Sequence, residues 1–345
     1  MTKTKRIFAG MLAAMTLTLA FTGCNSNDGG SSTASVKDNT AAATADNAGN
    51  SDRTYNIGIC QLVQHDALDA ATKGFKDTLT EKLGDQVTFD EQNASGDSQN
   101  CATICNQFVS SNVDLVFANA TPALQAAYTA TDKIPILGTS ITHYGTALDI
   151  ADWKGYTETN VSGTSDLPPL DEQAAIAKEL FPDKSTVGIL YCSAEANSKY
   201  QYDTIKPFFE KDGYTVKEYT FADSNDIAAV VTSACDECDI LYIPTDNTAA
   251  SNTGIIDNIA QPKNIPIITG EENMCIGCGV ATLSIDYYEL GQKTGEMAYE
   301  ILADGADIST MEIRYAPTTK KYFKDRCDAL GITIPDGYEA IEAAE

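Results

Sequence analysis

Histidine is scarce in this 345-residue chain, which holds only His65 and His143. The sequence also lacks the H-E-x-x-H, G-x-x-x-x-G-K-[ST] and G-x-S-x-G patterns of metalloproteases, phosphate-binding loops and serine hydrolases. Gly277-Cys278-Gly279 lacks the third glycine of a dinucleotide-binding fingerprint. With few general bases and none of these motifs, we expect no enzymatic activity, no catalytic residues and no cofactor.

Basic residues are also few, since 23 Lys and Arg stand against 49 Asp and Glu, for a formal net charge of -26. Nucleic-acid binding requires a basic surface that neutralises phosphates, so this composition excludes nucleic acid as a partner. Long apolar runs are absent after the start of the chain. The run at residues 7–21 is itself too short to cross a bilayer comfortably, because a spanning helix needs about 20 residues.

The first 24 residues have the layout of a secretory signal. Three basic residues precede the apolar run, and Gly23-Cys24 closes it in the manner of a lipoprotein. We expect residues 1–23 to be removed and Cys24 to carry a lipid. The protein would then be held at the extracellular face of the bacterial cell membrane, or in the periplasm if there are two membranes. The alternative is ordinary signal cleavage that leaves Cys24 as a free thiol.

Residues 24–53 consist mainly of Asn, Ser, Gly, Asp, Ala and Thr. Such a segment buries too little apolar surface to offset the entropy of ordering, so we expect it to be a disordered tether. As a flexible coil of about 29 residues it would span roughly 30 Å. A folded domain could therefore move above the membrane without leaving it.

From Tyr55 onward, apolar β-branched runs alternate with amphipathic stretches of helical period. One set of strands and helices extends to Pro135–Gly138, and a similar set extends from Pro169–Leu180 to Ile265–Ile268, with a single helix expected over Thr248–Ile259. Strands that alternate with helices of this length form parallel sheets covered on both faces. The sequence therefore predicts an α/β protein with two doubly wound lobes.

Ligands of such sheets bind beyond the carboxyl ends of the strands. These ends are rich in hydroxyl, amide and carboxylate side chains, which we take as candidate ligand-binding residues: Gln61, His65, Thr121 and Ser140 in the first set, and Glu195, Asn197, Ser198, Thr245, Asp246, Asn247 and Glu271 in the second.

The same residue types also cap helices, and for any single one of them capping and binding are equally good interpretations. The two roles are compatible, because a helix N-terminus offers backbone N–H groups and a partial positive charge to a carboxylate. Glu195, Asp246 and Glu271 could pair with an ammonium group. Together these features suit a zwitterion such as an amino acid.

Several sequence words resemble the family of ABC-transporter solute-binding proteins for tryptophan, tyrosine and phenylalanine, over nearly all of Tyr55 to Asp304. They are Gln61-Leu62-Val63 with His65, Ala120-Thr121-Pro122-Ala123, Val161-Ser162-Gly163 with Ser165-Asp166, Glu195-Ala196-Asn197-Ser198, Pro244-Thr245-Asp246-Asn247, and Ala281-Thr282-Leu283 with Ile285-Asp286-Tyr287-Tyr288. The resemblance implies a type I periplasmic-binding-protein fold, whose two lobes are joined by three crossings. It also implies a monomer that receives an aromatic amino acid and works with an ABC permease and ATPase.

The same resemblance sets the expected domain boundaries: 54–163 with 283–310 for the first lobe, and 164–282 with 311–345 for the second. Asp286 and its helix would return the chain to the first lobe, and Asp286 completes the candidate ligand-binding set. Selectivity is open, because aromatic residues such as Trp153, Tyr144, Tyr156 and Tyr191 could stack on a ligand ring or fill the core.

Nine cysteines remain besides Cys24, an odd number that cannot pair fully within one monomer. Cys235-Asp236-Glu237-Cys238 and Cys275-Ile276-Gly277-Cys278 are CxxC motifs that we place in turns beside strands. Two such motifs could bind zinc or carry out thiol redox chemistry, which gives an alternative function. Local disulfides or buried small side chains are the other interpretations, and we assign no metal-binding residue.

Overall fold

The structure, a computed structural model, describes residues 53–341, which form thirteen strands and twelve α-helices. The predicted signal peptide, Cys24 and nearly all of the predicted tether lie outside this range. The strands are β1 (Tyr55–Gln61), β2 (Val87–Asn93), β3 (Leu115–Asn119), β4 (Ile136–Ile141), β5 (Val161–Ser165), β6 (Thr186–Cys192), β7 (Thr215–Phe221), β8 (Ile240–Ile243), β9 (Ile267–Thr269), β10 (Ala281–Ile285), β11 (Arg314–Tyr315), β12 (Thr318–Tyr322) and β13 (Glu339–Ala340). The helices are α1 (Asp66–Leu83), α2 (Ser98–Ser110), α3 (Thr121–Ala130), α4 (Tyr144–Ala147), α5 (Leu170–Leu180), α6 (Ala196–Lys211), α7 (Ile227–Glu237), α8 (Asn247–Ala250), α9 (Thr253–Ala260), α10 (Glu272–Cys278), α11 (Tyr287–Leu302) and α12 (Lys324–Leu330).

Two sheets organise these elements into two lobes. The first has the strand order β11-β5-β4-β3-β1-β2 and the second β13-β12-β10-β9-β8-β6-β7. Neighbouring strands pair in parallel except for β10 and β12, which are antiparallel. The predicted fold class, two parallel α/β lobes, is confirmed.

The chain passes between the sheets three times. It leaves the first sheet after Ser165, returns after Ile285 and leaves again after Tyr315. Each passage lies a few residues beyond the boundary expected from the sequence. Residues Arg314–Tyr315, expected in the second lobe, pair in parallel with β5 and so extend the first sheet.

Burial on both faces explains why the central strands read as continuous apolar runs. Every residue of β3, β4 and β8 is buried, as parallel strands covered by helices require. The first sheet is covered by α1 and α11, which pack closely because Gly74 and Gly291 have no side chain. A Cβ at Gly291 would lie 2.0 Å from the carbonyl oxygen of Ala71.

Three local features differ from the sequence-based expectations. The helix expected over Thr248–Ile259 is two helices, α8 and α9, separated at Ser251 and Asn252. Strand β5 and helix α10 were not expected. The CxxC motifs were wrongly placed in turns, because Cys235 lies in the last turn of α7 and Cys275 and Cys278 lie in α10.

Candidate functional site

A small cavity lies between the two lobes, where the carboxyl ends of both sheets face each other. The space there that atoms do not fill, adjoining solvent included, is about 310 Å³. No Lys or Arg of residues 53–341 lines it. The lining residues are His65, Leu68, Ser140, Thr142, Asp166, Asn197, Thr245, Asp246, Asn247, Ala250, Glu271, Met274 and Tyr287.

The cleft around this cavity is closed, since polar side chains of the two lobes touch across it. His65 Nε2 lies 3.4 Å from Asn247 Oδ1. Gln201 Nε2 donates to Thr142 Oγ1 over 3.2 Å and to Thr245 Oγ1 over 2.6 Å. Gln201 thereby joins a strand end of the first lobe to a strand end of the second.

Within the described residues, four that line the cavity each have a buried polar atom without a hydrogen-bond partner: His65 Nδ1, Ser140 Oγ, Asp166 Oδ1 and Asn197 Oδ1. Buried polar atoms are normally paired, because an unpaired one costs about 1–3 kcal/mol. Four of them on residues around one space make this space a candidate site for a polar ligand.

Asp166 belongs to this group but is not among the twelve candidate residues predicted from the sequence. It directly follows β5 and is 4% exposed. Its Oδ2 accepts a hydrogen bond of 2.8 Å from the hydroxyl group of Tyr287. Burial raises the pKa of this carboxyl to about 6. Oδ1 accepts no hydrogen bond from the described residues. Its position after a strand was a usable signal, although β5 itself was not recognised.

Asn197 presents an acceptor to the cavity because its amide nitrogen is fully used elsewhere. Nδ2 donates to Glu195 Oε2 and to the carbonyl of Thr245, both over 3.0 Å, which fixes Oδ1 on the opposite side. His65 also offers a hydrogen-bond acceptor. Burial lowers the pKa of its imidazole, so the ring is neutral near pH 7. Because Nε2 faces the acceptor Asn247 Oδ1, we place the ring proton on Nε2, which leaves the unpaired Nδ1 as an acceptor.

Ser140, which lines the cavity, sits on a backbone irregularity. The pairing of β4 with β5 shifts register between Gly138 and Ile141, and Ser140 has a φ of 56°. A non-glycine residue in this left-handed region is strained, and such strain is concentrated at functional sites.

Glu195 and Asp246 lie close to the cavity, but the protein already uses their carboxylates. Glu195 accepts from the backbone N–H groups of Asn247 and Thr248, over 3.0 and 2.8 Å. Asp246 accepts from the N–H groups of Cys192 and Ala249 and from Ser198 Oγ, all within 2.8 Å. Both residues therefore fix α8, and the capping interpretation describes them well. Burial, followed by the charge of Glu195, raises the pKa of Asp246.

Glu271 caps α10 in the same way, because its carboxylate accepts from the N–H groups of Asn273 and Met274. It is 2% exposed, and burial raises its pKa to about 7. Unlike Glu195, it lines this cavity. Its charge adds to the negative potential that Asp166 produces there.

Seven of the twelve candidate residues lie on the cavity wall, and their role as ligand contacts stays a prediction. The structure places the other five elsewhere. Gln61 bonds to Asp69 and Thr72 at the base of α1, and Asp286 is an exposed cap of α11. The other three, Glu195, Thr121 and Ser198, do not line this cavity either.

The apolar part of the wall comes from Leu68, Ala250, Met274 and the ring of Tyr287. The aromatic residues considered from the sequence do not contribute to it. Tyr144, for example, is 1% exposed and donates its hydroxyl to the carbonyl of Thr164. A ligand ring would therefore meet aliphatic, thioether and tyrosine surfaces.

The nine cysteines of the described range are buried and unpaired by disulfides. Within residues 53–341 no three His, Cys, Asp or Glu side chains are arranged to hold a metal ion. The CxxC motifs therefore give no support to a zinc site, and their sulfurs pack in the core of the second lobe. Over the same residues, no helix is both long and apolar enough to span a membrane.

Two α/β lobes closed over a small polar cavity define a solute-binding protein of the type I periplasmic fold. In agreement, the sequence profile of the ABC transporter substrate binding protein family matches residues 56–339. The chain belongs to this family, whose members bind a solute and do not convert it.

Relatives of known name or structure are similar over most of the chain. A tyrosine-binding protein of Clostridioides difficile is 36% identical over 91% of this chain and 88% of its own length. The structure of an ABC domain from Streptococcus pneumonia in complex with L-Trp is 34% identical, covers 84% of this chain and 100% of its own, and has a TM-score of 0.79.

A third relative helps to define the conformation. The ligand-free, open structure of a substrate-binding protein with adhesive properties from Clostridium difficile is 36% identical over 84% of this chain and 100% of its own, with a TM-score of 0.65. The L-Trp complex is less similar in sequence and more similar in shape.

Proposed function

We propose that this protein binds an aromatic L-amino acid in the cavity between its lobes and delivers it to the permease and ATPase of an ABC importer. It works as a monomer on the extracellular side, held to the membrane by a lipid on Cys24. The observation that carries the proposal is the set of unpaired buried atoms on the cavity wall.

Three of those atoms are acceptors, and an ammonium group offers three N–H donors to match them. Asp166 Oδ1, Asn197 Oδ1 and His65 Nδ1 belong to residues that line the same cavity. The single ionisable carboxyl with a free oxygen, Asp166, gives one charge-assisted bond, which is stronger than a neutral one. Because no lining residue is Lys or Arg, the cavity favours a cationic group.

The rest of an amino acid also has matching groups on the wall. Ser140 and Thr245 offer hydroxyl donors to a carboxylate, since Thr245 Oγ1 accepts from Gln201 and keeps its own proton available. Leu68, Met274 and Tyr287 offer the apolar surface for a side chain. The relatives named for tyrosine and solved with L-Trp support an aromatic side chain.

Calorimetry with the purified protein tests the ligand. We expect saturable heat with L-tyrosine, L-tryptophan or L-phenylalanine, and none with L-glutamate, whose added charge meets an acidic cavity. N-acetyl-L-tyrosine is the matched control, because acetylation removes the ammonium charge. It should bind about 100-fold more weakly or worse. Absence of heat from all three aromatic amino acids would contradict the proposed ligand.

Cell fractionation tests the lipid anchor. The unsubstituted protein is expected in the membrane fraction with a covalently bound fatty acid, whereas Cys24→Ser should be shed in soluble form. Two lipid chains are needed for stable anchoring, so loss of the modification should release nearly all of the protein. Under ordinary signal cleavage, both proteins would be soluble and would carry no fatty acid, and that result would exclude the anchor.

A further inference from the structure

A second contact between the lobes lies outside the cavity and is made by two aromatic rings. The ring centroids of His143 and Tyr200 are 4.5 Å apart, and the ring planes differ by 4°. His143 follows β4 in the first lobe, whereas Tyr200 lies in the second turn of α6 in the second lobe. Neither residue lines the cavity.

The first lobe fixes the orientation of the His143 ring before any contact with the other lobe. Nδ1 accepts the backbone N–H of Thr146 over 3.1 Å and lies 2.9 Å from Thr146 Oγ1. Trp153 packs edge-on against the imidazole at 5.7 Å and stacks on buried Tyr144 at 6.3 Å. The imidazole face is therefore a preorganised platform for a ring from the second lobe.

The stack lies beside the polar bridge of the cleft. Thr142 precedes His143 and Gln201 follows Tyr200, and these two neighbours share the hydrogen bond across the lobes. On α6, Asn197 lies three residues before Tyr200 and faces the cavity. Opening the cleft would separate the rings at the same time as it releases Asn197 from the ligand.

The geometry points to a latch: the stack of Tyr200 on His143 forms on closure and holds the cleft closed over its ligand, so Tyr200 sets affinity without touching the ligand. A ligand that binds the closed form gains affinity from any contact that raises the closed population. An aromatic pair of this geometry corresponds to about a 2- to 10-fold change in Kd. This inference rests on the proposed function only through the choice of ligand.

Tyr200→Ala tests the latch, with Tyr200→Phe as the conservative variant and Tyr128→Ala as the matched control, since Tyr128 is an exposed tyrosine of the first lobe. Calorimetry with L-tyrosine should give a Kd about 2- to 10-fold higher for Tyr200→Ala and an unchanged Kd for the other two. L-phenylalanine should lose affinity by the same factor, because the latch acts on closure and not on the side chain of the ligand.

Trp153, the single tryptophan of the chain, provides a second readout because it touches His143. Its fluorescence should show that the ligand dissociates faster from Tyr200→Ala than from the unsubstituted protein, while the association rate changes little. Equal Kd values for Tyr200→Ala and the unsubstituted protein would overturn the latch, as would a loss confined to one ligand. Failure of L-tyrosine to bind the unsubstituted protein would instead contradict the proposed ligand.

Discussion

Asp166→Asn is expected to weaken the binding of an aromatic amino acid by at least about 30-fold. The substitution keeps the shape of the side chain and its contact with Tyr287, but it removes the charge that faces the ligand ammonium. Removing one partner of a buried charged pair costs about 2–5 kcal/mol, which is a factor of about 30 to several thousand in Kd. Calorimetry with L-tyrosine measures the loss directly.

The same variant should not destabilise the empty protein, and this separates a binding role from a structural one. Asp166 is buried with one oxygen unpaired, and its pKa is raised to about 6, so the empty protein bears a cost when the carboxyl ionises. An amide has no such cost. The melting temperature of Asp166→Asn should equal or exceed that of the unsubstituted protein above pH 6. A clear fall in melting temperature together with normal affinity would contradict the assignment.

The pH dependence of binding provides a further signature of Asp166. A ligand ammonium stabilises the ionised carboxyl and so lowers its pKa in the complex, which means that binding releases a proton below about pH 6. Affinity should therefore rise with pH up to about 6 and level off above it. Glu271 and His65 also titrate at the cavity and add to the pH dependence of the affinity. The contribution of Asp166 is therefore the part of this pH dependence that disappears in Asp166→Asn.

The lobes could be predicted from the sequence because their central strands are apolar and separated by amphipathic helices of regular length. Strand β5 escaped the prediction because its sequence, Val-Ser-Gly-Thr-Ser, is mostly polar. Its buried hydroxyls are paired inside the lobe, as shown by Thr164 Oγ1, which lies 3.1 Å from Thr139 Oγ1 and 2.9 Å from Thr294 Oγ1. Asp166 was missed for the same reason, since it marks the end of an unrecognised strand.

The individual roles of the acidic residues could not be deduced from residue type. Glu195, Asp246 and Glu271 all follow strands and all precede helices, so capping and ligand binding predict the same sequence pattern. What distinguishes them from Asp166 is the pairing of their oxygens, which depends on where α8 and α10 begin. The break of the expected helix into α8 and α9 falls at Ser251 and Asn252, residue types that favour helix caps and turns.

Asp246→Ala is expected to reduce the free energy of unfolding by about 3 kcal/mol, the largest stability effect among these substitutions. The carboxylate joins three elements through Cys192 at the end of β6, Ser198 in α6 and Ala249 in α8. Loss of a helix cap costs about 1 kcal/mol, and the buried N–H of Cys192 left without an acceptor costs about 1–3 kcal/mol more. Denaturant unfolding of the empty protein gives the value.

Asp286→Ala is the matched control, because Asp286 is also an aspartate at a helix start but is exposed and accepts one backbone N–H, from Glu289, over 3.0 Å. It should lose only about 1 kcal/mol. At a temperature where Asp246→Ala is folded, its affinity for L-tyrosine should fall less than that of Asp166→Asn, since no oxygen of Asp246 is left unpaired for a ligand. Loss of all binding in Asp246→Ala with unchanged stability would instead make Asp246 the partner of the ammonium group, and the division of roles between the two aspartates would be reversed.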